Sequence, residues 1–264
     1  MSYIFRLHDT ERYESWFRSD LGQSVFALQK DLLLKVWAPV ARQRVLEVGC
    51  GSGIFLEWLN SLGHSVTGLD PSGPSIELAR RRLGGRVGLE RGFAEDLPFS
   101  DNEFDTVALI TSLEFVGDPA KALREAFRVA RSNVLLGVLN KYSIGRVHYF
   151  LEKFWKDSLY APARFFSVFE LKNMTDRILC GQVPKVWRTC FAFPLPFLRY
   201  LHLLERCPFF HRLPFGHFIA MRIDLRNRFL TLQTPVFSEL PSGVGNASVR
   251  SLCWRSSQET GDER

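Results

Sequence analysis

The chain has 264 residues, 46% of them hydrophobic, and a formal net charge of +6. That length and composition suffice to bury the core of one α/β domain with insertions, and they exclude an intrinsically disordered chain. No uninterrupted apolar run reaches the roughly 18–20 residues of a membrane-spanning helix, and the opening "MSYIFRLHDTERYESW" lacks the apolar centre of a signal peptide, so a cytoplasmic protein is expected.

Residues 11–38 read as helical from the recurrence of Trp16, Phe17, Leu21, Val25, Phe26, Leu28, Leu32, Leu33 and Val36, with Gly22 as a candidate break and Pro39 as the stop. "RVLEVG" is then a short buried strand, and "IFLEWLNSLG" a helix closed by Gly63. "HSVTGLD" is a second strand and "PSIELARRRLGG" a second helix, with Pro74 in its first turn and Gly84 at its end. "RVGLERG" is a weak third strand and "FDTVALIT" a strong fourth. Asp118 and Pro119 open the helix "DPAKALREAFRVA", and "NVLLGVLN" is a fifth strand. Strands and helices alternating with short links imply right-handed crossovers and a mostly parallel sheet covered on both faces.

The pattern changes at Asn140. "KYSIGRVHYFLEKFWKDSLYAPARFF" is basic, aromatic and without clear period; Ser167 and Glu170 then form a capping box with a Phe166–Leu171 staple. "VPKVWRTCFAF" and "GHFIAMRIDL" are two late strands, separated by the proline-bounded stretch 194–215. Residues 1–230 are expected to form one domain, with residues 231–264 a loose polar tail. Charge divides along the same line: residues 1–139 hold 16 Lys+Arg against 18 Asp+Glu, and residues 140–264 hold 18 against 10. The five cysteines (Cys50, Cys180, Cys190, Cys207, Cys253) are odd in number and show no CxxC pair, so neither a disulfide framework nor a zinc site is expected.

The stretch "VLEVGCGSG", Val45 to Gly53, places three glycines at alternate positions where the first strand turns into a helix. Glycine permits so sharp a turn and lets backbone approach a ligand closely. The dinucleotide fingerprint G-x-G-x-x-G fails, because Ile54 and Leu56 occupy the positions of its last glycine, and no lysine follows to make a P-loop. The observed E-x-G-x-G-x-G resembles motif I of the class I S-adenosylmethionine (SAM)-dependent methyltransferases.

The resemblance extends over about residues 10–140. "VTGLDPS" puts Asp70 at the end of the second strand, where an acid can take both ribose hydroxyls. "RGFAEDLPFSDNEFDTVALITSLEFVGDPAKALREAFRV" is similar to the middle of the small-molecule methyltransferases called type 11, and "RYESWFRSDLGQ" to their N-terminal lid helix. The resemblance implies a Rossmann-like, doubly wound, seven-stranded sheet with its last strand antiparallel, here carrying an aromatic-basic insert after strand five. It implies SAM as cofactor, held by Glu47, Gly49, Cys50, Gly51, Gly53, Asp70, Pro71, Ala94, Glu95, Asp96, Thr111, Ser112 and Trp16. Two departures stand out. Phe93 occupies the place of the aspartate that holds the adenine amino group in many relatives, so that either Phe93 packs on the ring or Glu95 or Asp96 substitutes. "RSN", Arg131 to Asn133, replaces the usual "PGG" before strand five.

Methyl transfer from a sulfonium needs alignment of the acceptor more than a fixed catalytic triad, and no catalytic residue is assigned. Tyr142 and His148 are candidates for a base or an orienting group, set against ordinary surface or packing roles. Glu114 is either a substrate-side acid or an acid at a helix start, and Cys50 a small packing residue. Residues 141–166, including Phe165 and Phe166, and residues 194–215 are expected to form the acceptor side, which suits a small acceptor that is at least partly apolar. Basic and aromatic together also suit peripheral contact with an anionic membrane. Nucleic acid is not expected, since no RNA-binding module is present. The rival readings are a non-catalytic SAM-binding regulatory or assembly protein, and an RNA or protein methyltransferase.

Overall fold

A computed structural model of the chain describes residues 2–39, 41–143, 162–181, 183–190 and 210–225. His148, most of the two aromatic-basic stretches, and the tail 231–264 lie outside the described residues.

The described residues form helices α1 (Leu7–Arg18), α2 (Asp20–Trp37), α3 (Ile54–Ser61), α4 (Gly73–Leu83), α5 (Pro119–Val129) and α6 (Val168–Ile178). They form strands β1 (Arg44–Val48), β2 (Ser65–Asp70), β3 (Gly88–Arg91), β4 (Phe104–Ile110), β5 (Ala130–Leu139), β6 (Lys185–Cys190) and β7 (Phe218–Asp224). The seven strands make one sheet in the order β3-β2-β1-β4-β5-β7-β6, parallel from β3 to β5, with β7 antiparallel to both its neighbours. The expected doubly wound, mostly parallel sheet is thus the fold.

Each central strand feeds two cores because successive side chains leave opposite faces. Val45 and Leu135 join Leu32, Leu33, Trp37 and Leu56 on the face covered by α2 and α3. Leu46 and Leu136 join Leu123, Phe127 and Leu171 on the face covered by α5 and α6. Burial on both faces explains why β4 and β5 read as continuous apolar runs rather than as alternating ones. The strand order reverses between β1 and β4, the place where open α/β sheets leave a crevice at their carboxyl edge.

The helix expected over residues 11–38 is two helices, and the break falls at Ser19 rather than Gly22. Ser19 is an N-cap, its Oγ accepting from the Gly22 N–H at 3.1 Å, while its own N–H closes α1 on the Trp16 carbonyl. Gly22 serves a different need: a Cβ there would sit 2.0 Å from the Trp16 carbonyl oxygen. The Ser167–Glu170 capping box forms as expected, with Glu170 N–H to Ser167 Oγ at 3.1 Å and Ser167 N–H to Glu170 Oε2 at 2.9 Å. Phe166, its staple residue, is wholly buried and bridged to Asn140. It packs in the core on the α5–α6 face of the sheet.

Alanine ordinarily favours a helix over glycine by about 1 kcal/mol. At position 22 the contact reverses the sign: Gly22→Ala is expected to destabilise the protein by about 1–3 kcal/mol, the cost of overpacking. Thermal melting checks it, and an unchanged or raised Tm would show that the α1–α2 junction yields freely.

Candidate active site

The turn from β1 to α3 is built on three left-handed glycines, Gly49, Gly51 and Gly53, with φ of 74°, 53° and 81°. They do different work. A Cβ on Gly49 would meet the Ser112 Cβ at 2.4 Å, so Gly49 lets the turn lie against the end of β4. A Cβ on Gly53 would meet Ala79 and Leu83 at 3.2 Å, so Gly53 lets α3 approach α4. A Cβ on Gly51 would meet nothing within 4 Å, and Gly51 lines an open cleft.

Asp70 holds this turn. Its Oδ2 accepts from the Gly51 N–H at 2.9 Å and its Oδ1 from the Ser72 N–H at 2.8 Å. The carboxylate is buried; burial raises its pKa, and the two backbone donors oppose that rise. Each oxygen keeps a further lone pair, since a carboxylate has about four acceptor sites. Glu47 is also buried in the cleft wall, and burial, with the charge of Asp70 second, holds its carboxyl well above the usual range. Glu47 Oε2 and Ser112 Oγ are both buried with no hydrogen bond. Thr111, at the end of β4, has φ of 50°, a genuine outlier for a β-branched residue. Its Oγ1 lies 3.2 Å from the Tyr13 hydroxyl, whose pKa burial raises, so the phenol stays neutral.

The N-terminal segment and α1 cover the cleft. Tyr3, Phe5, Thr10 and Tyr13 line it, Tyr3 N–H bonds to the Phe115 carbonyl at 2.9 Å, and Ser72 Oγ donates to the Phe5 carbonyl at 2.7 Å. Of the residues expected to hold a cofactor, Glu47, Gly49, Cys50, Gly51, Asp70, Pro71, Ala94, Glu95, Thr111 and Ser112 converge on the cleft. Gly53, Asp96 and Trp16 do not. Gly53 is used in helix packing, exposed Asp96 closes a bridge with Phe93, and Trp16 packs edge-on against Phe17. Tyr13, one turn earlier on α1, is the lid residue that reaches the cleft. Phe93 lines the cleft too, whereas Glu95 Oε1 already accepts from Ser2 Oγ and from the Gly117 and Asp118 N–H groups.

Comparison with known proteins gives the same answer from a different direction. Residues 46–137 match the family model described as a methyltransferase domain, type 11. An uncharacterized protein of Methanocaldococcus jannaschii is 32% identical over 171 residues, covering 64% of this chain and 77% of that one. The chain belongs to the class I SAM-dependent methyltransferases. SAM is accordingly its cofactor. The demethylmenaquinone methyltransferase of Clavibacter sepedonicus is 40% identical over 96 residues, 36% of this chain and 39% of that protein. The ubiquinone biosynthesis O-methyltransferase of Thiobacillus denitrificans is 36% identical over 110 residues, 39% and 47% of the two chains. The chain thus spans less than half the length of these two named relatives. A Thermotoga maritima structure described as a SAM-dependent methyltransferase, possibly acting on histamine, superposes with a TM-score of 0.62 over 83% of this chain and 98% of that one, at 24% identity, and shares the fold.

The acceptor-side candidates are more scattered in this methyltransferase. Tyr142 is exposed, and Phe165 is half-buried against the α2–α3 core. Glu114 lies on a one-turn 3-10 helix, Leu113–Phe115, and does not line the cleft. Its Oε1 accepts from the Leu139 N–H at 2.7 Å, its backbone carbonyl accepts from the Arg164 N–H at 2.8 Å, and its Oε2 is buried with no hydrogen bond. It anchors the end of β5, and burial pushes its pKa up to about 8.

A carboxyl whose folded pKa lies above its unfolded value binds its proton more tightly in the native state. Its stabilising contribution is complete below about pH 4.5 and is lost as pH rises through about 8. Glu114→Gln keeps the acceptor for Leu139 and removes the titration. The variant is expected to gain on wild type by up to about 1.4 kcal/mol per pH unit across that window. Melting both proteins from pH 5 to pH 8.5 checks this, and parallel curves would mean that Glu114 is ionised throughout.

Proposed function

We propose that this methyltransferase moves the methyl group of SAM to a small, largely apolar acceptor. The observation that carries the reading is the cleft at the strand-order reversal. There Gly51 faces open space, and two buried polar atoms, Glu47 Oε2 and Ser112 Oγ, make no hydrogen bond, in a wall whose apolar part is supplied by Tyr3, Phe5, Phe55, Phe93, Ile110 and Phe115. A site with a few placed polar groups in an apolar lining fits a ligand with one polar and one apolar side. The residues fit SAM: the glycine turn admits close backbone approach, and the remaining lone pairs of Asp70 suit ribose hydroxyls. Phe93 offers a ring face for the adenine, because Glu95 is engaged elsewhere and Asp96 faces out.

Bound SAM supplies a methyl carbon already activated by its sulfonium, so the chain's own task is alignment and exclusion of water. Tyr3, Phe5 and Tyr13 cover the cleft, and the neutral Tyr13 phenol and Thr111 hydroxyl orient without taking a proton. Phe115 and Val116 extend the apolar wall beyond the end of β4. The relatives' names support an acceptor of the quinone kind, a hydroxylated ring bearing an apolar chain.

The test is transfer of labelled methyl from SAM to hydroxylated aromatics with and without an alkyl or prenyl chain. Labelling of the chain-bearing compounds is expected. SAM binding with no transfer to any of them would favour a non-catalytic SAM-binding protein, and transfer confined to RNA or protein would favour the other rival.

Calorimetry should show SAM binding at micromolar scale, about −8 kcal/mol, with NAD far weaker. Asp70→Ala should weaken SAM binding by about 1.5–3 kcal/mol, the scale of a hydrogen bond to a charged group. It should also lower Tm, because the Gly51 and Ser72 N–H groups lose their acceptor. An unaltered SAM affinity would show that Asp70 serves the turn alone.

A further inference from the structure

Among the described residues the three most exposed large hydrophobic side chains are Phe169 at 61%, Tyr142 at 54% and Phe215 at 54%. Singly exposed apolar residues are ordinary. These three are related, because Tyr142 and the residues flanking Phe215 bond to Asn140, directly after β5, and Glu170, next to Phe169, pairs with Lys141. Asn140 is fully buried and its side chain bonds at both ends: Nδ2 donates to the Pro214 and Gly216 carbonyls at 2.7 Å, and Oδ1 accepts from the Tyr142 N–H at 3.1 Å. Phe215 is thus held from both sides and Tyr142 from its own amide. The Lys141 N–H bonds to the Phe166 carbonyl, and Lys141 Nζ pairs with Glu170 at 3.0 Å, next to Phe169 at the start of α6. The backbone on either side of Phe215 and at Tyr142 is thus held by one buried side chain, and Phe169 stands one residue from the ion-pair partner of Lys141.

We propose that this surface docks the protein on an anionic lipid bilayer, with Tyr142, Phe169 and Phe215 entering the headgroup region. Two observations choose a bilayer over a protein partner. The first is charge: the half of the chain beginning at residue 140 holds 18 Lys+Arg against 10 Asp+Glu, while the half carrying the cofactor turn is net acidic. Lys172 and Arg212 each lie within three residues of one of the three aromatics, and Glu170, the acid among them, is paired with Lys141. Aromatic rings interleaved with cations are the composition of membrane-interface surfaces, where anionic lipid attracts each nearby cation. The second is position. Asn140 and Lys141 follow β5 at the carboxyl edge of the sheet, the edge that carries the cleft, and Arg164 bonds to the Glu114 carbonyl beside Phe115 of the cleft wall. An apolar acceptor dissolved in the bilayer would meet the protein on that side.

The full chain is co-sedimented with vesicles of phosphatidylcholine alone and of phosphatidylcholine with an equal share of phosphatidylglycerol, at low and high salt. Binding to the anionic vesicles, released by salt, is expected. The triple variant Tyr142→Ser, Phe169→Ser, Phe215→Ser should bind them at least about tenfold more weakly, with Tm and SAM affinity unchanged. The corresponding triple leucine variant should retain binding, which separates docking from loss of fold. Absence of binding to anionic vesicles, equal binding to neutral ones, or a serine variant that binds like wild type would each overturn the proposal. Self-association of the wild type that the serine variant loses, without vesicle binding, would assign the surface to a second copy of the chain instead. Vesicle binding needs neither cofactor nor acceptor, so its failure leaves the methyl-transfer reading untouched.

Discussion

The hold of Asp70 on the Gly51 and Ser72 amides organises the molecule around it. A parallel strand arriving at the carboxyl edge must give up its ladder and present unpaired N–H groups. One carboxylate at the end of β2 takes one amide from the β1 turn and one from its own turn into α4, tying two strand ends together. With that tie in place the three glycines can divide their tasks between packing and an open approach. Burial, and next the same carboxylate charge, raise the pKa of Glu47, a second acid in the cleft wall.

A second layer of contacts fixes what lies over the turn. Arg82, in the last turn of α4, pairs with Glu14 of α1 and with Glu57 of α3, and donates to the Ser52 carbonyl within the glycine turn at 3.0 Å. Tyr13 and Thr111 meet on the inner side, and Ser2 and Glu95 at the rim. The cover is thus attached both to the turn beneath it and to the ends of the strands beside it. Its geometry and that of the glycine turn are set by the same side chains.

Most of the sheet was legible in the sequence because its signals are local. Buried parallel strands read as apolar runs, and Asp118 and Ser167 stand where N-caps are needed. What was not legible depended on contacts between distant residues. Ser19 and Gly22 are both credible breaks three residues apart, and only the approach of the Trp16 carbonyl shows why one caps and the other must be small. Trp16 and Tyr13 are both aromatic on one helix, and the face turned to the cleft is decided by packing on Phe17. Glu95 and Asp96 are adjacent acids whose directions follow from the Phe93–Asp96 bridge. Ser2, Tyr3 and Phe5 carry no periodic signal before α1, so their place over the cleft was invisible until the chain was folded.

The position of β7 has a consequence for how divisible the protein is. All the residues of the glycine turn, Asp70 and the cleft wall lie before residue 140, which suggests a self-sufficient front half. Yet β5 is paired along residues 133–139 with β7, at residues 218–224, so the strand that completes the sheet's interior is supplied by the last described part of the chain. A fragment ending after β5 would present that row of backbone groups, with both flanking faces apolar, as an open edge ready to recruit other strands. During synthesis the front half must wait in that condition until the late strand emerges. Transplanting it into another protein would mean carrying β7 along or supplying a substitute.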